Sequence, residues 1–197
     1  MQFCDHLALG KALAAAHFAN CPALCRLAFV LGNIAPDLTA TTYLRGHLRD
    51  RSSWGHSYAN ALPVIRRLLR LLERRAHGGP HSYYRLGVLL HYAADAFTWP
   101  HNERFTASIR EHMRYEQRLH AEMSKRSAKE LLPDALPARF VDVEAAHARY
   151  MALEGRVETD AGFIWAQTEQ LAAAFARRWS QDGMQGLEMQ PSFLGHS

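Results

Sequence analysis

Imidazole and carboxylate side chains recur along this chain at spacings that bring them to one helix face. In the stretch LLHYAADAFTWPHNE, residues 89–103, His91 and Asp95 stand at i and i+4 and cover the same patch of helix surface. The flanking Leu89, Leu90, Ala93 and Ala94 predict that this helix is buried. A buried carboxylate is costly unless it is paired, hydrogen-bonded or metal-bound. Beside a divalent cation the same carboxylate becomes a source of binding energy. Pro100 then stops the helix and turns the chain, which lets His101 aim back at the same point.

A second helix repeats the spacing. REHMRYEQ places His112 and Glu116 at i and i+4, where they are either ligands or a surface pair on a charged helix. Upstream, LGNIAPDL puts Asp37 after Pro36 at the end of an apolar helix, and SSWGHSYAN puts His56 at the start of the next. His6 stands in the first helix, and His47 is an alternative to His56. Taken singly, each histidine is an ordinary packed or solvated side chain. Together the imidazoles and carboxylates make a donor set suited to zinc.

This order is His, Pro-Asp, His, then His-x3-Asp-x5-His, then His-x3-Glu. It resembles the zinc-dependent phospholipase C family, which is related to the single-strand-specific P1-type nucleases. The similarity spans residues 1–120. It implies an all-helical fold and a multinuclear zinc site, of two to three ions, that cleaves phosphoric esters. By resemblance, His56, His91 and Asp95, with Asp37, surround one zinc. His101, His112 and Glu116 hold a second. Asp95 bridges to a third, which His6 also binds. In the family that third ion is completed by the backbone amine and carbonyl of an N-terminal tryptophan. This chain begins Met-Gln-Phe, so it has no tryptophan there, but Met1 offers the same backbone atoms. Asp37 is the candidate catalytic group, orienting or deprotonating the attacking water.

The elements that must carry these residues are helical throughout. Apolar periodicity predicts helices over 5–19, 22–34, 56–75, 82–98, 106–126, 137–154 and 159–180, with Pro63 kinking the third and Thr159-Asp160 starting the last. His77-Gly78-Gly79-Pro80 is a clear break. No alternating strand pattern and no repeat is visible. The expectation is one all-α domain over 1–197, a multi-helix bundle with its metal-site region in 1–120, C-terminal helices in 127–181 and a loose tail from 182 to 197. Trp165 and Trp179 read as core.

Bulk composition bounds the rest. The chain has 197 residues, 48% hydrophobic and 21% charged, which fits a globular protein rather than a disordered one. A formal charge of +4 is compatible with phosphate-bearing partners but does not demand them. Three cysteines, Cys4, Cys21 and Cys25, argue against a stapled secreted scaffold and read as small buried apolar residues. Asp5, His6 and Lys11 interrupt the N-terminal apolar run, so no signal peptide is expected. With no uncharged apolar run of about 18 residues, a cytoplasmic location is the expectation.

The expected substrate is a phosphoester, either phospholipid or nucleotide. Tyr43, Trp54, Tyr58, Phe97 and Trp99 either line its pocket or belong to the core, and Arg104 and Arg110 are candidates for contact with its phosphate. The arginine-rich run 63–79 is either a basic amphipathic helix in peripheral contact with an anionic membrane, or a packed helix with a solvated arginine face. Two other helical metal enzymes are disfavoured. No His-Asp dipeptide occurs, and Glu144-Ala-Ala-His147 is the lone Glu-x-x-His of a di-iron bundle. The rival to a hydrolase is a non-catalytic, metal-stabilised binding module.

Overall fold

The computed structural model describes residues 1–38, 56–75, 77–125 and 142–188, and of residues 181–188 the backbone alone. Among the described residues there are seven α-helices and no strand: α1 Phe3–His17, α2 Ala23–Leu38, α3 Tyr58–Glu73, α4 Pro80–Ala96, α5 Ile109–Lys125, α6 Val143–Met151 and α7 Val157–Glu188. The expected all-α class is the class found. Expected boundaries shift by a few residues where caps decide them. Pro80 opens α4 at its first turn, where a missing N–H costs nothing. Pro63 lies inside α3 and Pro36 inside α2, so α2 continues past Ile34 to Leu38. α7 likewise runs on to Glu188, into the segment expected to be a loose tail.

α4 is the central element. It packs against α2, α3 and α7, and its Leu86, Leu89, Leu90, Ala93, Ala94 and Ala96 are all fully buried. A helix that is apolar around most of its circumference can only be an inner one. α1 packs on α2 and α7, and α5 packs on α7. Trp165 and Trp179 are buried as expected. α3 turns Ala61, Ile65, Leu68 and Leu72 to the core and leaves its arginines exposed, with Arg66 in a bidentate pair with Glu144. It is thus a packed helix with a solvated basic face.

α2 and α4 cross at backbone contact. A Cβ at Gly32 would stand 2.0 Å from the Tyr84 carbonyl oxygen, and one at Gly87 would stand 2.1 Å from the Phe29 carbonyl oxygen. Backbone therefore meets backbone, and the two helices bring Asn33 and Asp37 against His91. Gly87→Ala should push the pair apart and destabilise the fold by about 3 kcal/mol, read as a lower urea midpoint. A midpoint equal to wild type would show that the helices already have room.

Candidate metal centre

α4 supplies His91 and Asp95, one turn apart and almost wholly buried. His91 Nδ1 lies 2.9 Å from the Asn33 carbonyl oxygen. A carbonyl only accepts, so Nδ1 carries the proton and donates. That leaves the Nε2 lone pair aimed inward. The close α2–α4 crossing is what puts this carbonyl within reach.

Asp95 is the hub. Its Oδ2 stands 2.8 Å from His56 Nδ1 and 3.3 Å from His91 Nε2. Its Oδ1 stands 3.1 Å from the Met1 nitrogen, 3.2 Å from His6 Nε2 and 3.4 Å from His101 Nδ1. Asp37 Oδ1 approaches the first group, 3.7 Å from His91 Nε2 and 4.0 Å from His56 Nδ1. On the other side, Glu116 Oε1 lies 3.1 Å from His112 Nε2, 3.4 Å from His101 Nε2 and 3.1 Å from the Met1 nitrogen. The eight residues meet in one place, where His6, His56, His91, Asp95 and His101 are buried and Asp37, His112 and Glu116 are partly exposed. Within it, His6, His91 and Asp95, then Asp37, His56 and His91, then His101, His112 and Glu116 each offer donor atoms within 4.8 Å of one another.

His101 owes its position to the corner after α4. Trp99–His101 forms a 3-10 turn. The Asn102 amide donates to the carbonyls of Ala96 and Thr98 at 3.1 and 3.0 Å, closing the loop on itself. His147 Nε2, 2.7 Å from Asn102 Oδ1, holds that amide from α6.

Four of the donor side chains are held in the form that suits a cation. Burial and the neighbouring His91 lower the His6 imidazole to about 3. Burial and the Met1 amine lower His101 to about 4. Burial alone would raise Asp95, but the Met1 amine, His101, His6 and His91 outweigh it and hold the carboxyl well below its usual range. Glu116 is likewise held down, burial being outweighed by the amine and by His101 and His112. Uncharged imidazoles beside ionised carboxylates are the forms in which these side chains bind metal. His6 Nδ1, Asp37 Oδ2 and His101 Nδ1 are buried with no hydrogen-bond partner among the described residues. A nitrogen and oxygen donor set with such unspent atoms fits zinc.

The sequence model of the zinc-dependent phospholipase C family matches residues 5–181. The chain belongs to this family. Comparison with curated proteins and with solved structures finds no match. The family match extends well beyond residue 120, so α6 and most of α7 belong to the family's fold too.

Other expectations for this family member resolve differently. His47, Tyr43 and Trp54 lie outside the described residues. Phe97 is fully buried and belongs to the core. Tyr58 stacks on His147 at a centroid distance of 3.4 Å. Arg104 donates to the carbonyls of Met151 and Leu153 and lies over the Trp99 ring, so it braces the end of α6 rather than meeting a phosphate. Cys25 is buried, but Cys4 is exposed, because the first turn of α1 turns that side chain to solvent. The sequence gives no sign of the Asn33 carbonyl, since any residue has one.

Asp160 was legible only as a helix start signal. It is instead a fully buried acceptor for the Trp99 N–H, Tyr150 hydroxyl and Tyr115 hydroxyl, at 2.8, 2.7 and 2.9 Å. It ties the His101 corner to α5, α6 and α7. Burial pushes its carboxyl from 3.8 up to about 6, against those three hydrogen bonds. Between those values the folded state holds a proton that the unfolded state has lost. Stability conferred by Asp160 is therefore present below about pH 4 and is lost as pH rises through about 6. The stability difference between wild type and Asp160→Asn should fall by about 3 kcal/mol over that window, measured by urea unfolding. Comparing the two proteins cancels the opposite trend from Asp95 and Glu116. A difference independent of pH would refute the assignment.

Proposed function

We propose that this protein hydrolyses a phosphoric ester, with two to three zinc ions held by His6, Asp37, His56, His91, Asp95, His101, His112 and Glu116. The observation that carries the reading is the convergence of His6, His56, His91 and His101 on the two oxygens of Asp95, with Asp37 and the His112–Glu116 pair beside them. When bound, zinc withdraws charge from phosphoryl oxygens and acidifies water. The protein's own groups do the rest. Asp95 holds the two halves of the donor set at a fixed distance. The Asn33 carbonyl keeps His91 in one tautomer. Asp37 is the group that orients the attacking water and takes its proton. Burial raises its carboxyl, and its Oδ2 has no hydrogen-bond partner among the described residues. The Met1 nitrogen, between Asp95 and Glu116, stands where a further ligand would complete the third position.

One feature favours a phospholipid over a nucleotide. Leu24, Leu27, Leu31 and Leu38 are exposed along a single face of α2, and the row ends beside Asp37. Such a row suits peripheral contact with a lipid surface next to the reacting headgroup. Among the described residues no helix is long and apolar enough to cross a membrane.

Elemental analysis and an ester assay test the reading together. Purified protein should carry two to three zinc ions and hydrolyse bis-p-nitrophenyl phosphate, with phospholipid vesicles cleaved faster than oligonucleotides. Metal-loaded protein inert towards all three esters would instead identify a metal-stabilised binding module.

A further inference from the structure

A second group of donors lies on the surface, apart from the eight residues above. Cys4 Sγ stands 3.7 Å from His120 Nδ1, and Asp5 Oδ1 stands 2.5 Å from the same nitrogen. The three donor atoms lie within 4.8 Å of one another. Cys4 is exposed, His120 is half exposed and Asp5 is buried. Asp5 is held in place by its second oxygen, which accepts from the Gln2 N–H at 3.2 Å.

The geometry excludes one obvious use. In a thiol–imidazole–carboxylate relay, sulfur and carboxylate engage different ring nitrogens, so that the ring passes a proton between them. Here both face Nδ1, and no relay through the ring is possible. Three donors converging on one point is instead the arrangement of a chelate. Sulfur, imidazole nitrogen and carboxylate oxygen together suit a borderline-soft divalent cation such as zinc. Exposure of Cys4 leaves an approach from solvent and room for a water as fourth ligand.

We propose that Cys4, Asp5 and His120 bind one divalent cation of the zinc class at a surface site separate from the buried centre, and that this ion clamps the first turn of α1 onto α5. The placement explains what the clamp does. Cys4 and Asp5 lie between Met1 and His6, both of which contact Asp95. His112, Glu116 and His120 follow at i, i+4 and i+8 on one face of α5, so the surface site continues the row that serves the buried one. An ion joining residues 4 and 5 to residue 120 holds the Met1 nitrogen against Glu116.

Cobalt substitution tests this selectively. The buried centre offers nitrogen and oxygen donors alone, so sulfur-to-cobalt charge-transfer absorption reports on a cysteine ligand and nothing else. Zinc-free protein titrated with cobalt(II) should develop that near-ultraviolet band. The band should vanish in Cys4→Ser, weaken in His120→Ala, and persist in Cys21→Ser and in Asp95→Asn. Cys4→Ser should also carry one zinc fewer than wild type by elemental analysis, with its far-ultraviolet helical signal unchanged. Absence of the band in wild type, or its survival in Cys4→Ser, would overturn the proposal. If the buried centre binds no metal, the cobalt stoichiometry falls to one ion per chain while the sulfur band stays, so the two readings fail separately.

Discussion

Asparagine in place of Asp95 should cut kcat/KM for a phosphodiester by about a thousandfold or more, a loss of about 4 kcal/mol in transition-state stabilisation. The substitution keeps shape and volume and removes a charge. In this protein that charge is shared among five neighbours, the Met1 nitrogen, His6, His56, His91 and His101, each within 3.4 Å of one or other oxygen. A neutral amide turns one of those oxygens into an NH2, which has no lone pair to offer a metal ion. The halves of the donor set then lose the anion between them. Zinc content should fall by at least one ion per chain, while far-ultraviolet circular dichroism stays that of wild type, because the core of α4 lies in its leucines and alanines. A variant with full zinc and undiminished activity would remove Asp95 from the centre.

The ligand pattern was legible because its signals are local. His91 with Asp95, and His112 with Glu116, announce themselves through the helical period, and the corner histidine through Pro100. Asp37, His56 and His6 carried little local signal and gained meaning through their order along the chain. What remained hidden depends on contacts between distant segments. Gly32 and Gly87 look like ordinary helix glycines until α2 and α4 cross at backbone distance. Asp160 looks like a cap until Tyr115, Tyr150 and Trp99 are found donating to it. Cys4 and His120 are 116 residues apart, and no spacing rule pairs them. Helix periodicity reports which face is apolar, and it says nothing of which faces meet.

Removing the metal should abolish hydrolysis and leave the fold standing. The helices are held by an apolar core in which the donor side chains take little part, so chelated protein should keep its helical circular dichroism. Its stability should nevertheless fall. Zinc present at about a thousand times its dissociation constant stabilises the folded state by about 4 kcal/mol. At about 2–4 °C per kcal/mol for a chain of this size, chelation should lower Tm by about 10 °C. The Met1 nitrogen stands 3.1 Å from both Asp95 Oδ1 and Glu116 Oε1, where its lone pair would serve as a further zinc ligand. A peptide extension at Met1 converts that amine into an amide, whose delocalised nitrogen lone pair does not bind zinc. An N-terminally extended protein should therefore carry fewer zinc ions, and chelation should cost it less in Tm than the unextended one. Chelated protein that still hydrolyses phosphodiesters at the metal-loaded rate would overturn the zinc reading. Equal Tm losses in the two forms would leave the Met1 amine without the role its place between Asp95 and Glu116 assigns to it.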